Sequence, residues 1–154
     1  MSAKTVTTGY YPAKYNRLYV AEPVEPVETA EWLDLGEEYL TGFTWTTEKT
    51  DDSFSPVNQN NPINVRMGYS DSISAECKRF VGGPGQKLLL KKDRGIGEEA
   101  HVLVKAELAD NSNVIYLANS DVTNRGTETN GNTVAGFAVT LNNAQGDPVY
   151  TEGK

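Results

Sequence analysis

Tyr69-Ser70-Asp71-Ser72-Ile73-Ser74-Ala75-Glu76-Cys77-Lys78 alternates over ten residues. Tyr69, Ile73, Ala75 and Cys77 fall on one side; Ser70, Ser72, Ser74, Glu76 and Lys78 fall on the other. Successive side chains of a strand point to opposite faces, so this is a long, half-buried β-strand. The pattern repeats on either side of it. Phe43, Trp45 and Thr47 alternate with Thr44, Thr46 and Glu48, and Val102, Val104, Ala106 and Leu108 with Leu103, Lys105 and Glu107. Ala135, Phe137, Val139 and Leu141 alternate with Gly136, Ala138 and Thr140. Shorter β-like runs cover Arg17–Ala21, Ile63–Gly68 and Val114–Ala118, rich in β-branched and aromatic residues.

Turn chemistry separates these runs. Asp110-Asn111-Ser112-Asn113 reads as a hairpin connection. Asn142-Asn143-Ala144-Gln145-Gly146-Asp147-Pro148 reads as a break after Leu141. Pro23 and Pro26, with Glu22, Glu25, Glu28 and Glu31, make an extended acidic connector. After Gly82-Gly83-Pro84-Gly85, the good helix formers of Gln86–Arg94 predict a short helix, with Lys91, Lys92 and Arg94 in its last turn where cations suit the dipole. The alternative is a buried strand through Leu88–Leu90. Lys49–Pro62 and Ser120–Thr133 carry no period and read as long loops.

The 154 residues therefore predict one mainly β domain over 1–154, a β-sandwich or barrel-like core with one short α-helix. Long arms accompany it: an N-terminal arm over 1–15, an inter-strand loop over 49–62 and a C-terminal arm over 142–154. A chain of this length buries enough surface to fold without a metal or disulfide.

Composition excludes several classes. No apolar stretch approaches the ~20 residues of a membrane helix, and Met1–Thr7 lacks the apolar core of a signal peptide; no membrane partner is expected. With 14 Lys+Arg against 21 Asp+Glu, the net charge of −7 is the wrong sign for a protein that holds duplex DNA through its phosphates. One histidine and one cysteine leave no usual zinc set.

The search for chemistry ends empty. His101 stands alone without a nucleophile in sequence context, and Cys77 lies on the apolar face of its strand, a small buried thiol rather than a reactive one. Glu37-Glu38, Asp51-Asp52 and Glu98-Glu99 are adjacent pairs that read as solvated charge rather than an acid–base pair. Asp51-Asp52-Ser53 and Asp110-Asn111-Ser112-Asn113 offer oxygens to calcium but lack the distal Glu of an EF-hand. Gly82–Lys87 precedes a helix as phosphate cradles do, yet Leu88 follows Lys87 where a Ser or Thr is needed. No catalytic residue, cofactor or metal is expected. A small acidic β domain with long arms suits a building block that contacts copies of itself.

Three stretches carry a family resemblance. Gly83-Pro84-Gly85-Gln86-Lys87-Leu88-Leu89-Leu90 through Gly97-Glu98 is similar to a short helix and Gly-containing turn, Glu99–Leu108 to the strand that follows, and Gly131–Val149 to a closing strand with its Gly146-Asp147-Pro148-Val149 turn. In this layout the chain resembles the major tail tube proteins of long, non-contractile-tailed bacteriophages (siphophage-like). Leu18–Val20, Trp32–Gly36 and the loop Lys49–Pro62 agree more loosely. The resemblance implies a non-enzymatic virion protein, assembled in the host cytoplasm, whose copies form stacked hexameric rings that conduct the genome. It implies tape measure, terminator and distal tail proteins as further partners, and DNA only in passage.

Within that picture, Phe54, Pro56 and Val57 of the loop and Tyr10, Tyr11 and Tyr15 of the arm are the expected contacts between subunits. The polar strand faces Thr44, Thr46 and Glu48, and Ser70, Ser72, Ser74 and Glu76, are the expected lining of the lumen. Two other readings stay open: another virion β protein, such as a head-decoration or tail-completion protein, and a monomeric carbohydrate-binding β-sandwich.

Overall fold

The structure, a computed structural model, describes residues 5–38, 40–127 and 131–152. Seven antiparallel strands form one sheet. In chain order they are β1 (Arg17–Ala21), β2 (Leu33–Asp34), β3 (Leu40–Phe54), β4 (Ile63–Lys78), β5 (His101–Glu107), β6 (Asn113–Asn124) and β7 (Gly136–Thr151). Their order across the sheet is β2-β1-β5-β6-β7-β4-β3. The edge strands β2 and β3 are consecutive in the chain, joined through the 3-10 turn Leu35–Glu38, so the sheet curls until its two edges approach each other. The Trp45 ring on β3 and the Tyr150 ring near the end of β7 meet at 6.0 Å between centroids, which narrows the curl at one end. The mainly β fold with one short helix read from the alternation is the observed one; its strands form one curled sheet, not the two sheets of a sandwich.

The alternation fixes which face is inside. Leu18 and Val20, Val102, Val104 and Ala106, Val114, Tyr116 and Ala118, Phe137, Val139 and Leu141, and Ile73, Ala75 and Cys77 all turn inward and form one buried cluster. Phe43 and Trp45 of β3 pack against it from the edge.

The helix α1 spans Pro84–Asp93 with Pro84 in its first turn, as the sequence predicts over Gln86–Arg94, and the strand alternative falls away. Leu88 and Leu89 drop into the core. Polar contacts hold the helix: the Ser120 hydroxyl donates to the Leu89 carbonyl at 2.8 Å, the Val122 N–H donates to Asp93 at 2.9 Å, and Arg125 pairs with Asp93. Gln86, fully buried, donates to the Lys78 carbonyl at 2.9 Å and accepts from the Phe80 N–H and the Arg79 guanidinium, each at 3.0 Å, clasping the bend between β4 and α1. Gly95 is needed after the helix, because a Cβ there would lie 2.4 Å from the Glu99 backbone.

Three expected boundaries shift. Lys49–Phe54 belongs to β3, so the connection expected over 49–62 shortens to 55–62. The run expected to end at Ala118 continues to Asn124, and with it the start of the loop expected over Ser120–Thr133. The break expected at Asn142–Pro148 is not a break: β7 runs through it to Thr151, paired with β6, and the C-terminal arm expected over 142–154 is strand through Thr151. The register between β6 and β7 slips around Leu117, where Gly146 adopts φ +75° and Pro148, with no N–H, fits without losing a ladder bond. Residues 1–4, 128–130 and 153–154, which fall in the expected arms and second loop, lie outside the described residues.

Candidate functional site

The residues expected to line a surface together do come together. The β3–β4 register pairs Thr44 with Ser74, Thr46 with Ser72 and Glu48 with Ser70, and sets Gly42 opposite Glu76. Cross-strand partners share a face, so all seven side chains point outward from one hairpin. The face is wider than the two strands of the hairpin. Ser74 pairs with Thr140 of β7, and Thr140 with Asp121 of β6; Ser72 pairs with Asn142, and Asn142 with Asn119. Two polar rows, Thr44-Ser74-Thr140-Asp121 and Thr46-Ser72-Asn142-Asn119, thus cross four strands. Asp121 ends one row, Glu48 and Glu76 flank the rows on the same face, and Lys78 lies at one corner. Thr140, Asn142, Asn119 and Asp121 could not be found from local sequence, because long-range pairing alone puts them beside β4.

Beyond Ser72 the β3–β4 ribbon leaves the sheet. Only Ser72–Lys78 of β4 pairs with β7. Residues 63–71 pair with β3 alone and span roughly 30 Å at the strand rise. The inward face ends at Asp71, which is buried and accepts from the Trp45 indole N–H at 3.1 Å and the Thr47 hydroxyl at 2.5 Å. Past it both faces are wet: Tyr69 is exposed, and Arg66 donates to Asp51 at 3.0 Å in a solvent-facing ion pair.

A register shift between Thr50 and Asp51 then exchanges the β4 side chains between faces. Thr50 opposes Gly68, but Asp51 opposes Arg66, so Met67 is the extra residue. As a result Ile63 and Val65 fall on the same side as Phe54, and the face that is Thr, Ser and Glu near the body turns apolar at the tip. Phe54, Ile63, Val65 and Met67 are all exposed there, and Val57 at the turn is completely so. Pro56 is half-buried.

The N-terminal arm is a second projection. The Val6 N–H donates to the Ala109 carbonyl at 2.7 Å, Thr5 bonds Asn111 at 3.2 Å, and the Ala109 N–H donates to Asn16 at 3.0 Å. Both ends of residues 7–15 are thereby fixed beside the β5–β6 turn. Tyr10 at its crest is wholly exposed, Tyr11 is exposed and Tyr15 half-buried. The turn that anchors the arm is itself rigid. Asp110 accepts from the Ser112 hydroxyl at 2.5 Å and the Ser112 N–H at 2.9 Å, bonds that hold its carboxyl below the usual value.

On the other part of the outer face, the connector from Glu22 to Trp32 crosses β5, β6 and the end of β7. Lys105 lies over the Tyr19 ring at 4.8 Å and the Trp32 ring at 5.0 Å, and Glu22 pairs with Lys92 at 3.0 Å. Between these fixed ends the connector stands off the sheet and leaves a groove of ≈ 840 Å³. Val24, Val27, Trp32, Leu103, Ile115, Leu117 and Val149 give it apolar walls, and Glu25, Glu28 and Asp147 are its charged lining residues.

Cys77 is buried in the core. Asp51 is engaged with Arg66, and Asp110 with its own turn. The side chains of Glu37 and Glu38 lie outside the described residues. Among the described residues no three His, Cys, Asp or Glu side chains gather as a metal site would require. Tyr116, buried, donates to the Leu141 carbonyl at 2.6 Å; burial, with the nearby Asp71 carboxylate, pushes its phenol far up, so it stays a neutral structural donor.

No family model matches the chain, and no curated protein sequence matches it. Solved structures do. A chain in the tail of an empty gene transfer agent particle, refined helically with C6 symmetry, superposes with a TM-score of 0.60 at 12% identity, over 88% of this chain and 96% of that one. A chain in the virion of a native gene transfer agent particle superposes with a TM-score of 0.57 at 12% identity, over 88% and 95%. This chain shares their fold along nearly its whole length.

Proposed function

We propose that this protein is a structural subunit of a phage-like tail, one that joins copies of itself into stacked sixfold rings around a channel for the genome. The observation that carries this reading is the β3–β4 hairpin: its root presents a polar face four strands wide, and its tip runs clear of the body with apolar residues exposed. A monomer gains nothing from a two-stranded ribbon, which is marginal in water without further packing. Exposed apolar side chains on such a ribbon mark a contact with another chain. The fold shared with chains of gene transfer agent particles, one of them a tail with C6 symmetry, supports the same reading.

The polar wall of Thr44, Thr46, Glu48, Ser70, Ser72, Ser74 and Glu76, extended by Thr140, Asn142, Asn119 and Asp121, is the surface that faces the channel. Its hydroxyls and amides offer no dense positive charge to phosphates, and its acids repel them. DNA can then slide rather than bind, the opposite of a basic groove that releases counterions. Phe54, Pro56 and Val57 at the ribbon tip and Tyr10, Tyr11 and Tyr15 in the arm bury against neighbouring copies. The long free edge of β3 is covered in the same assembly, which removes an open template for uncontrolled pairing. Repeating one heterologous contact closes a ring, and a second stacks the rings into a filament. In a non-contractile tail, the tape measure, terminator and distal tail proteins bound this filament.

Negative-stain electron microscopy of the purified protein at high concentration tests this. Stacked hollow rings are the expected result. Small discrete oligomers would favour a completion or decoration protein instead, and a monomer with calcium-dependent sugar affinity would favour a lectin-like role; either overturns the tube.

A further inference from the structure

The chain is divided by charge in a way its net value hides. Residues 1–21 carry Lys4, Lys14 and Arg17 and no acid; residues 22–38 carry Glu22, Glu25, Glu28, Glu31, Asp34, Glu37 and Glu38 and no base. The basic stretch includes the anchored arm whose crest, Tyr10-Tyr11-Pro12, stands away from its own body. The acidic stretch includes the connector that roofs the apolar groove, and the charged lining residues of that groove are Glu25, Glu28 and Asp147. From this complementarity we propose that the Tyr10-Tyr11-Pro12 crest of one copy docks into the groove beneath the acidic connector of a second copy, with Lys14 against the acidic rim. This rests on the self-assembly reading above and names where one contact lands.

Size and preorganisation agree. A groove of ≈ 840 Å³ lies in the range that takes a pair of aromatic side chains with their backbone. Tyrosines bury large area at little rotamer cost, and their hydroxyls stay hydrogen-bonded at a polar rim. The arm is tied to Ala109 and Asn111 at one end and to Ala109 through Asn16 at the other, so little further order is lost on docking. The ribbon tip is the competing occupant. Ser53–Val65 contains no charged residue, so the acidic rim gives it no attraction.

Cysteine pairing between separately purified full-length variants tests the contact, since the native Cys77 is buried. Tyr10→Cys mixed with Glu28→Cys under oxidising conditions, at concentrations where the protein assembles, should give disulfide-linked dimers at least tenfold more abundant than either variant alone. Lys14→Glu should raise the concentration needed for assembly severalfold, and adding Glu28→Lys should restore it. Dimers from Val57→Cys with Glu28→Cys, and none from Tyr10→Cys with Glu28→Cys, would give the groove to the ribbon tip and overturn the proposal. Normal assembly without either cross-link would overturn it while leaving self-assembly standing. A protein that stays monomeric throughout would overturn both.

Discussion

The two ends of the β3–β4 hairpin are built from the same pair of strands and obey different physics. At the root, every second residue of β4 is buried, half-buried Phe43 and Trp45 of β3 face Ala75 and Ile73 across the ladder, and β7 pairs along the other side of β4. At the tip both faces meet solvent, β7 has turned away to follow β6, and among the described residues no third strand pairs there. The root is held by the core of its own chain. The tip is held by backbone pairing and the Asp51–Arg66 ion pair, and it exposes Phe54, Ile63 and Val65. The difference teaches that the root serves folding, while the tip adds nothing to the core and is left free for the contact proposed above, with the Met67 bulge as the point where the ribbon changes faces.

That division makes ordered predictions. The largest effect belongs at the root: Ile73→Ala should cost about 2–5 kcal/mol in chemical denaturation, the range for truncating a buried aliphatic side chain, whereas Val65→Ala at the tip should stay within about 0.5 kcal/mol. Equal costs at both sites would erase the distinction. Next comes the boundary residue. Trp45→Phe removes the indole donor to buried Asp71 and should cost about 1–3 kcal/mol, the penalty for leaving a buried polar group under-satisfied; a neutral outcome would mean that Asp71 is fully served by Thr47.

A smaller effect is expected from Arg66→Ala. It breaks only a solvent-facing pair and should cost below about 1 kcal/mol and fade further in high salt. Smallest is the acid response of the anchoring turn. The Asp110 carboxyl is held below its ordinary value in the folded chain, so it contributes stability above that value and loses it as pH falls through the lower folded one. Ser112→Ala removes the leading hydrogen bond and should raise the Asp110 titration midpoint, read by NMR; an unmoved midpoint would contradict the assignment.

The root was legible in the sequence and the tip was not, for one reason. Alternation betrays a strand only where one face is buried. Tyr69–Lys78 and Phe43–Glu48 show it because Ile73, Ala75 and Trp45 reach the core. Lys49–Phe54 and Asn142–Thr151 are strands as well, but their outward faces leave no apolar period, and Asp51-Asp52 and Gly146-Asp147-Pro148 look like loops. The members of the polar wall on β3 and β4 could be named because they are local. Those on β6 and β7 depend on pairing between distant segments, as does the groove, which forms only when the connector crosses the sheet. The strand structure of the tip leaves no trace in the sequence; only its composition stands out, with Phe54 and Val57 stranded among polar residues and exposed in the fold.

The most direct test removes the tip and keeps the root. Replacing residues 51–67 by Asn-Gly, a two-residue turn suited to closing the Thr50–Gly68 pair, leaves every core residue in place. Analytical ultracentrifugation over a wide concentration range should then show large assemblies for the full chain and, for the shortened one, a monomer that still unfolds cooperatively. Equal assembly by both, or monomers from the full chain at every concentration, would contradict the account.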